Sequence, residues 1–371
     1  MEDQEDLNPS HYHSMPQAKH SLSKVFGGVV VVIFMIVTCV AGYFLVQRGS
    51  IAPSPIIEDN SSIQTQLENS EPFLFQDMTI PYLREKAYEG ALTSLEEVSS
   101  NSDYMSYRTT YISDGLTIYA QITKPANAMP EGGFPAIIFV HGYIPPARYQ
   151  TFSNYASYVD ALARSGFVVF KIDLRGHGES EGEPSGAYYS GDYVVDILNA
   201  RAALRVTEFV NPEKIGLWGH SMAGNVGLRS FVVARDMPAI SLWSGAVYTY
   251  EDLGKYGISD ASYQPPDMNS ERQKRREMLR EMYGEFDKNS EFWSQVVPIN
   301  YLDDVRGAIQ LNHAVDDDVV NSGYSRDLNI LLDNTDIVHE FNEYSSGGHN
   351  LSGSTFTRAM NDTIKFFHEH L

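Results

Sequence analysis

The chemistry legible in this chain is concentrated in Gly219-His220-Ser221-Met222-Ala223-Gly224. A short apolar run, Ile215–Trp218, precedes this cluster, and a helix-like stretch, Asn225–Arg235, comes after it. A serine between a strand and a helix sits on a strained turn. Its hydroxyl stands exposed above the sheet, and the next N–H points into the same space. Such a nucleophile elbow needs small residues two before and two after the serine, because larger side chains there would strike the neighbouring strand and helix. The pattern here is Gly-x-Ser-x-Ala, one step from the strict Gly-x-Ser-x-Gly. A second serine fits the strict pattern, in Gly178-Glu179-Ser180-Glu181-Gly182. The residues after it, Glu183-Pro184-Ser185-Gly186, cannot start a useful helix, and two glutamates would oppose an oxyanion beside it. Ser180 therefore reads as a loop residue and Ser221 as the nucleophile. The bland alternative for Ser221 is a tight structural turn, and downstream partners decide between the two.

A serine hydroxyl is too weak an acid to attack unaided at neutral pH. It needs a histidine to take its proton and a carboxylate to hold that ring's tautomer. Where a serine sits on this kind of elbow, the chain order is serine, then acid, then histidine. The strand-like Ile309–Asn312 runs into His313-Ala314-Val315-Asp316-Asp317-Asp318. Three consecutive aspartates are equally a solvated acidic turn, so the acid is left among them at this point. The strand-like Val338–Tyr344 leads into Ser345-Ser346-Gly347-Gly348-His349. A histidine after two glycines, before a final helix, can lean towards the elbow. The chain holds 11 histidines, most of them expected to be ordinary surface or core residues; His349 is the one whose place the mechanism requires. His220 and His141 read as supports of the site. The oxyanion should meet backbone N–H groups. Met222 supplies one, and Tyr143, in His141-Gly142-Tyr143 after the apolar Ala136–Val140, supplies the other, with its phenol a weaker further donor.

These side chains require an alternation of strands and helices to hold them. Tyr107–Ser113 and Leu116–Thr123 form a hairpin signal turning at Asp114-Gly115. Strands are expected at Ala136–Val140, Phe167–Leu174, Ile215–Trp218, Ala239–Trp243, Ile309–Asn312 and Val338–Tyr344. Helices are expected at Thr151–Ser165, Asp192–Val206, Asn225–Arg235, Ser322–Asp333 and Thr355–Leu371. Short, wholly apolar strands between helices predict an α/β fold with a mainly parallel sheet covered on both faces. From 247 to 305 the alternation breaks. Ser270–Gly284 and Ser290–Val297 read as helices, either a lid over the site or a solvated charged face. No internal repeat is present.

His141-Gly142-Tyr143, Asp173-x-Arg175-Gly176-His177-Gly178, Gly219–Gly224, His313–Val320 and Gly348-His349 together resemble the prolyl oligopeptidase family of serine peptidases (S9) and its neighbours, the dienelactone hydrolase-like enzymes. The resemblance covers Tyr104–Leu371. It implies an α/β-hydrolase fold and hydrolysis through an acyl-enzyme, with no metal or cofactor. The family's His-Gly-x-x-Asp-x-x-Val loop, laid on His313–Val320, places the catalytic carboxylate at Asp317, with Asp316 next; Ala314 stands where the family has glycine. Full-length oligopeptidases carry an N-terminal β-propeller that sieves peptides, and no blade periodicity occurs here.

The chain has 371 residues with a net charge of −21. It is long enough for one large domain plus extensions. So acidic a balance argues against nucleic-acid binding, which needs a basic footprint. Val25–Val46 is a run of 22 residues without a charge, enough to cross about 30 Å of hydrocarbon as a helix. A cleaved signal peptide fits less well, because the polar segment in front is long and no small-x-small site comes after the run. Lys19 and Lys24 precede the span, and after Arg48 there is no Lys or Arg before Arg84. That bias puts the N-terminus in the cytoplasm and the large domain outside. The single cysteine, Cys39, lies in the span, so no disulfide is expected in the exported domain. Asn350-Leu351-Ser352 would be a glycosylation sequon beside His349 in a eukaryotic secretory pathway, which favours a bacterial cell envelope.

The expectation is a tail at 1–24, a signal anchor at 25–46 seated in the lipid bilayer, a Ser/Pro/Asn/Gln-rich stalk at 47–72 and a catalytic domain at 73–371. The function read from these residues is serine hydrolysis, first as an S9-type peptidase and second as a carboxylesterase acting on small acyl esters. A non-catalytic binding protein on a hydrolase scaffold is the third reading. The partner is a peptide or small ester, and the oligomeric state is open.

Overall fold

A computed structural model describes residues 73–185 and 187–371. The tail, the apolar run 25–46 and the stalk lie outside the described residues. Among the described residues, no helix is long and apolar enough to cross a membrane.

One sheet organises the fold. Its strands are β1 (Glu96–Ser100), β2 (Tyr104–Ser113), β3 (Leu116–Pro125), β4 (Phe134–Val140), β5 (Val168–Ile172), β6 (Val210–His220), β7 (Ala239–Trp243), β8 (Ala308–Ala314) and β9 (His339–Tyr344). They lie in the order β1-β2-β3-β5-β4-β6-β7-β8-β9. From β5 to β9 every pairing is parallel, while β1, β2 and β3 form an antiparallel edge. The hairpin turns at Asp114 and Gly115, both at positive φ (50° and 81°), with Ser113 opposite Leu116. Two left-handed residues make a turn whose twist matches the strands it joins. Strand β1 carries no apolar alternation and is exposed along its length. It forms by pairing with β2, which no local pattern announces.

The helices are α1 (Ile80–Glu85), α2 (Ala156–Arg164), α3 (Asp192–Arg205), α4 (Ala223–Ala234), α5 (Tyr250–Tyr256), α6 (Glu271–Tyr283), α7 (Glu291–Val296), α8 (Gly323–Leu332) and α9 (Ser354–His370). Strands β5 and β7 are buried at every position, as a sheet covered on both faces requires. One core joins α3, α4 and α8 to the sheet through residues such as Ile197, Leu228 and Leu328. The opposite core packs α2 and α9 against Trp218 and Trp243, with Leu162 and Phe367 between them.

The expected helix at Thr151–Ser165 starts later, at Ala156. Tyr155 adopts φ 60° and ψ 20°, a left-handed conformation that no α-helix interior tolerates. The helices of the irregular region, α6 and α7, are capped by Ser270 and Ser290, whose hydroxyls accept the N–H groups of Gln273 and Trp293. Tyr250, Leu279, Phe292 and Trp293 there form a third apolar cluster with Phe75 and Met78. The residues connecting α5 to α6 are not part of that cluster, and two of them, Asp260 and Ser262, line the cavity that holds Ser221.

Candidate active site

Strand β6 ends at His220 and α4 begins at Ala223, so Ser221 occupies the turn between them. Its φ is 56°, a strained value for a residue with a side chain. Two bonds hold that strain: Ser221 N–H donates to Trp243 C=O at 2.9 Å, and Ser221 C=O accepts from Ala246 N–H at 3.0 Å. Strand β7 and the loop after it therefore clamp the elbow. A β-carbon on Gly224 would come within 2.6 Å of Ala246 N, and one on Gly219 within 3.0 Å of the Ala223 β-carbon. Ala223 is accommodated because Gly219 faces it and because the closest approach falls on Gly224 instead.

Asp317 lies after β8, and His349 after β9. The two meet through a 2.9 Å hydrogen bond from His349 Nδ1 to Asp317 Oδ2. Ser221, His349 and His220 line one cavity of about 620 Å³. The Asp317 side chain is fully buried, and burial alone would oppose its charge. Hydrogen bonds from His313 and His349, the charge of His349 and the Val320 N–H outweigh burial and hold the carboxyl well below the usual carboxylate range. Its other oxygen, Oδ1, accepts the N–H groups of Val319 and Val320, both at 2.9 Å. Asp316 acts on the backbone instead. Its Oδ1 accepts Gly348 N–H at 2.8 Å, which ties down the loop carrying His349.

His313 is a partner of the acid that spacing along the chain does not reveal. Its Nε2 lies 3.2 Å from Asp317 Oδ2 and 2.9 Å from Val320 C=O. Both are acceptors, so Nε2 carries the proton and Nδ1 faces the Ser325 hydroxyl at 2.8 Å.

Tyr155 is a second such residue, because sequence spacing puts it inside a helix. Its hydroxyl accepts Gly142 N–H at 3.0 Å and lies 2.8 Å from His220 Nδ1. His220 Nε2 in turn lies 2.9 Å from the carbonyl of His349. A carbonyl only accepts, so Nε2 holds the proton and Nδ1 accepts from the phenol. His220 is buried, and burial followed by the His349 charge pushes its pKa down to about 3. It is a neutral strut between two loops, in line with the supporting role expected of it. His141 is also buried, with its pKa well below the usual value through burial and then the charge of His177. It stands behind the Gly142–Tyr143 loop, with Nδ1 2.7 Å from Gly142 C=O.

The N–H groups of Tyr143 and Met222 have no backbone acceptor among the described residues. Gly142 presses directly on the elbow, since a β-carbon there would lie 3.0 Å from the Ser221 β-carbon. The Tyr143 phenol accepts the Gln264 N–H at 2.9 Å, which engages it with the segment before α6. Ser180 takes no part: its hydroxyl donates to Asp173 C=O at 2.6 Å and accepts Tyr119 N–H at 2.9 Å. Among the described residues, no group of three or more His, Cys, Asp or Glu side chains could hold a metal ion.

Residues 134–250 match the family described as serine aminopeptidase, S33. The sheet order, the elbow and this match agree. The chain has the α/β-hydrolase fold. Over 114 residues the chain is 32% identical to the uncharacterized protein YfhR of Salmonella typhi, an alignment covering 30% of this chain and 35% of that protein. It thus spans about a third of the length of such curated relatives. Among solved structures, acetyl xylan esterase 1 from Thermoanaerobacterium sp. superposes with a TM-score of 0.53 at 16% identity, covering 86% of this chain and 99% of that one. The acylaminoacyl peptidase of Pyrococcus horikoshii gives a TM-score of 0.54 at 20% identity, covering 72% of this chain and 42% of that one. At such identities these two report the fold.

Proposed function

We propose that the chain is a serine hydrolase in which Ser221 is the nucleophile, His349 the general base and then acid, and Asp317 the group that orients it. The observation carrying this reading is the 2.9 Å bond from His349 Nδ1 to Asp317 Oδ2, on a histidine sharing one cavity with Ser221. With Nδ1–H committed to Asp317, His349 Nε2 is left to take the Ser221 proton. The Ser221 oxygen adds to a substrate carbonyl, and the Tyr143 and Met222 N–H groups hold the oxyanion. The intermediate collapses as His349 returns the proton to the leaving amine or alcohol. Water, deprotonated by the same histidine, then releases the acid from the acyl-enzyme.

The first substrate reading is a peptide cut by an S9-type mechanism, supported by the five ordered motifs and by the likeness to acylaminoacyl peptidase. A carboxylesterase acting on small acyl esters is the second. It is favoured by a specific observation: the fold matches an acetyl xylan esterase over 99% of that chain's length, whereas the peptidase match covers 42%. From the region 247–305, read as a possible lid, Asp260 and Ser262 line the cavity. We place the domain outside the cytoplasmic membrane on an anchor at 25–46, on the strength of its 22 uncharged residues. The polar tail 1–24 then lies inside and the stalk 47–72 spans the gap.

Fluorophosphonate labelling tests the nucleophile. Wild type is expected to label and Ser221→Ala to be silent. Labelling of Ser221→Ala would overturn the assignment, and a folded but unlabelled wild type would restore the non-catalytic reading. Turnover of aminoacyl or prolyl anilides against short-chain p-nitrophenyl esters separates peptidase from esterase. A C-terminal reporter active only in the cytoplasm would overturn the topology.

A further inference from the structure

A second cavity, of about 380 Å³, opens between α5, α6 and the turn at Gly284–Phe286. Its volume lies in the range of about 300–1,000 Å³ typical of small-molecule sites. It shares no lining residue with the cavity of Ser221. Its walls are aromatic. Tyr250 stacks on Phe286 with ring centres 5.5 Å apart, and lies 5.2 Å from Trp293 and 6.2 Å from Tyr189.

The charged residues at this cavity are unequally served. Arg280 pairs with Glu285 at 2.7 Å, and Glu251 faces Lys288 at 3.9 Å. Beside them on α6, Arg275 pairs with Asp77 at 2.7 Å. Arg276 has no ion pair among the described residues. Its guanidinium lies 4.6 Å from the centre of the Tyr189 ring, and its Nε is buried without a hydrogen-bond partner. A buried donor left unpaired is costly, and a planar guanidinium matches a carboxylate through two parallel bonds. Across the cavity, α5 carries Gly254 in its interior, where glycine is a poor helix former. A β-carbon at Gly254 would meet nothing within 4 Å, so this residue leaves the space open.

We propose that this cavity binds a small aromatic carboxylate, with its ring against the cavity-facing edges of Tyr250, Phe286 and Trp293 and its carboxylate on Arg276. Edge-to-face contacts suit a ring in such a box. Among the described residues lining the cavity, Arg276 is the one cation without a carboxylate partner, which selects the acid over its neutral analogue.

Trp293 makes the site visible, because it lines the cavity and the other two of the chain's three tryptophans, Trp218 and Trp243, do not. The test titrates 3-phenylpropanoate and, separately, the neutral 3-phenylpropanol into the full chain in detergent, with tryptophan emission as the readout. Saturable quenching by the acid is expected, with the alcohol weaker by about tenfold or more, the range of a charged hydrogen-bonded pair. Arg276→Gln should weaken the acid by a similar factor and leave the alcohol unchanged. Gly254→Leu should remove both responses. A thermal melt checks that each variant is folded. If Gly254→Leu does not fold, Arg276→Gln decides alone. No saturable response, equal binding of acid and alcohol, or an unaltered affinity in Arg276→Gln would each overturn the proposal. Because Arg276 is remote from the lining of the Ser221 cavity, binding there would show as insensitivity to Arg276→Gln.

Discussion

The hydroxyl of Tyr155 lies 2.8 Å from Nδ1 of His220, the residue directly before Ser221. The same oxygen accepts Gly142 N–H, and the far nitrogen of His220 reaches the His349 carbonyl. One chain of hydrogen bonds therefore runs from the Gly142–Tyr143 loop, behind the elbow, to the loop carrying His349. It contains no charge, because His220 is held neutral by burial. Its effect is to fix two loops relative to each other across Ser221.

Tyr155→Phe removes that link while keeping the ring packed on Phe139 and Trp218. Two buried hydrogen bonds are lost, to Gly142 N–H and His220 Nδ1, at about 1 kcal/mol each in stability. Turnover is expected to fall by about tenfold with KM little changed, since positioning and not substrate contact is lost. Steady-state kinetics beside a urea melt measures both. A KM effect with unchanged kcat would place Tyr155 in substrate binding instead.

Asp317 and Asp316 should separate cleanly. Asp317→Asn disturbs the tautomer of His349 and is expected to lower kcat by about 10³–10⁴. Asp316→Asn only weakens the bond to Gly348 N–H and should cost less than about tenfold. Because the Asp317 carboxyl is held well below its usual range, it stays ionised through mild acid. The acidic limb of the kcat/KM profile should then lack a contribution from this carboxylate. Equal losses in the two variants would show that the acid had been placed in the wrong register.

The elbow makes a steric prediction. Gly224→Ala places a carbon about where 2.6 Å separates it from Ala246 N, and backbone cannot swing away as a side-chain tip can. The overpacking is expected to cost about 1–3 kcal/mol, read from denaturant midpoints. Ala223→Gly, which restores the strict motif, should cost about 1 kcal/mol through helix propensity and leave turnover within about threefold. A stable, active Gly224→Ala would mean that β7 and α4 are not so tightly closed.

Asp173 supplies a pH prediction. It is buried beside Thr151, Tyr149 and Lys171, and burial raises its pKa from the ordinary 3.8 to about 6 despite hydrogen bonds from the first two. Between those values the folded protein holds a proton that the unfolded chain has lost. The stabilisation is complete below about pH 4 and disappears as pH rises through about 6. Two pH units correspond to on the order of 3 kcal/mol. Asp173→Asn should flatten this part of the stability curve, as measured by chemical denaturation from pH 4 to 7. A curve of the same slope in the variant would assign the dependence to other groups.

Much of the scaffold is written locally. Apolar runs such as 137–140 and 240–243 announce buried strands, and Asp114-Gly115 announces its hairpin because few residues accept two positive φ values in succession. Strand β1 carries no local signal, because an exposed strand has no alternation, and helix α5 is marked only at its ends, by the Thr249 cap and by Gly257 at positive φ. The start of α2 differs from its sequence expectation for a related reason. Tyr155 is left-handed because its hydroxyl is held by Gly142 and His220, and neither contact lies close in sequence.

The sequence by itself determined which residue types could make a nucleophile, an acid and a base, and in what order, because strand-turn-helix chemistry is local and glycine and serine mark it. It also determined the uncharged length of 25–46 and the acidic balance. The loop motif ranks Asp317 ahead of Asp316, and the fold supplies the contact itself, since the meeting of Asp317 with His349 depends on how the loop after β8 turns against the loop after β9. The same holds for Tyr155. It acts through hydrogen bonds to Gly142 and His220, which folding brings close, and bonds of that kind leave no trace in spacing along the chain.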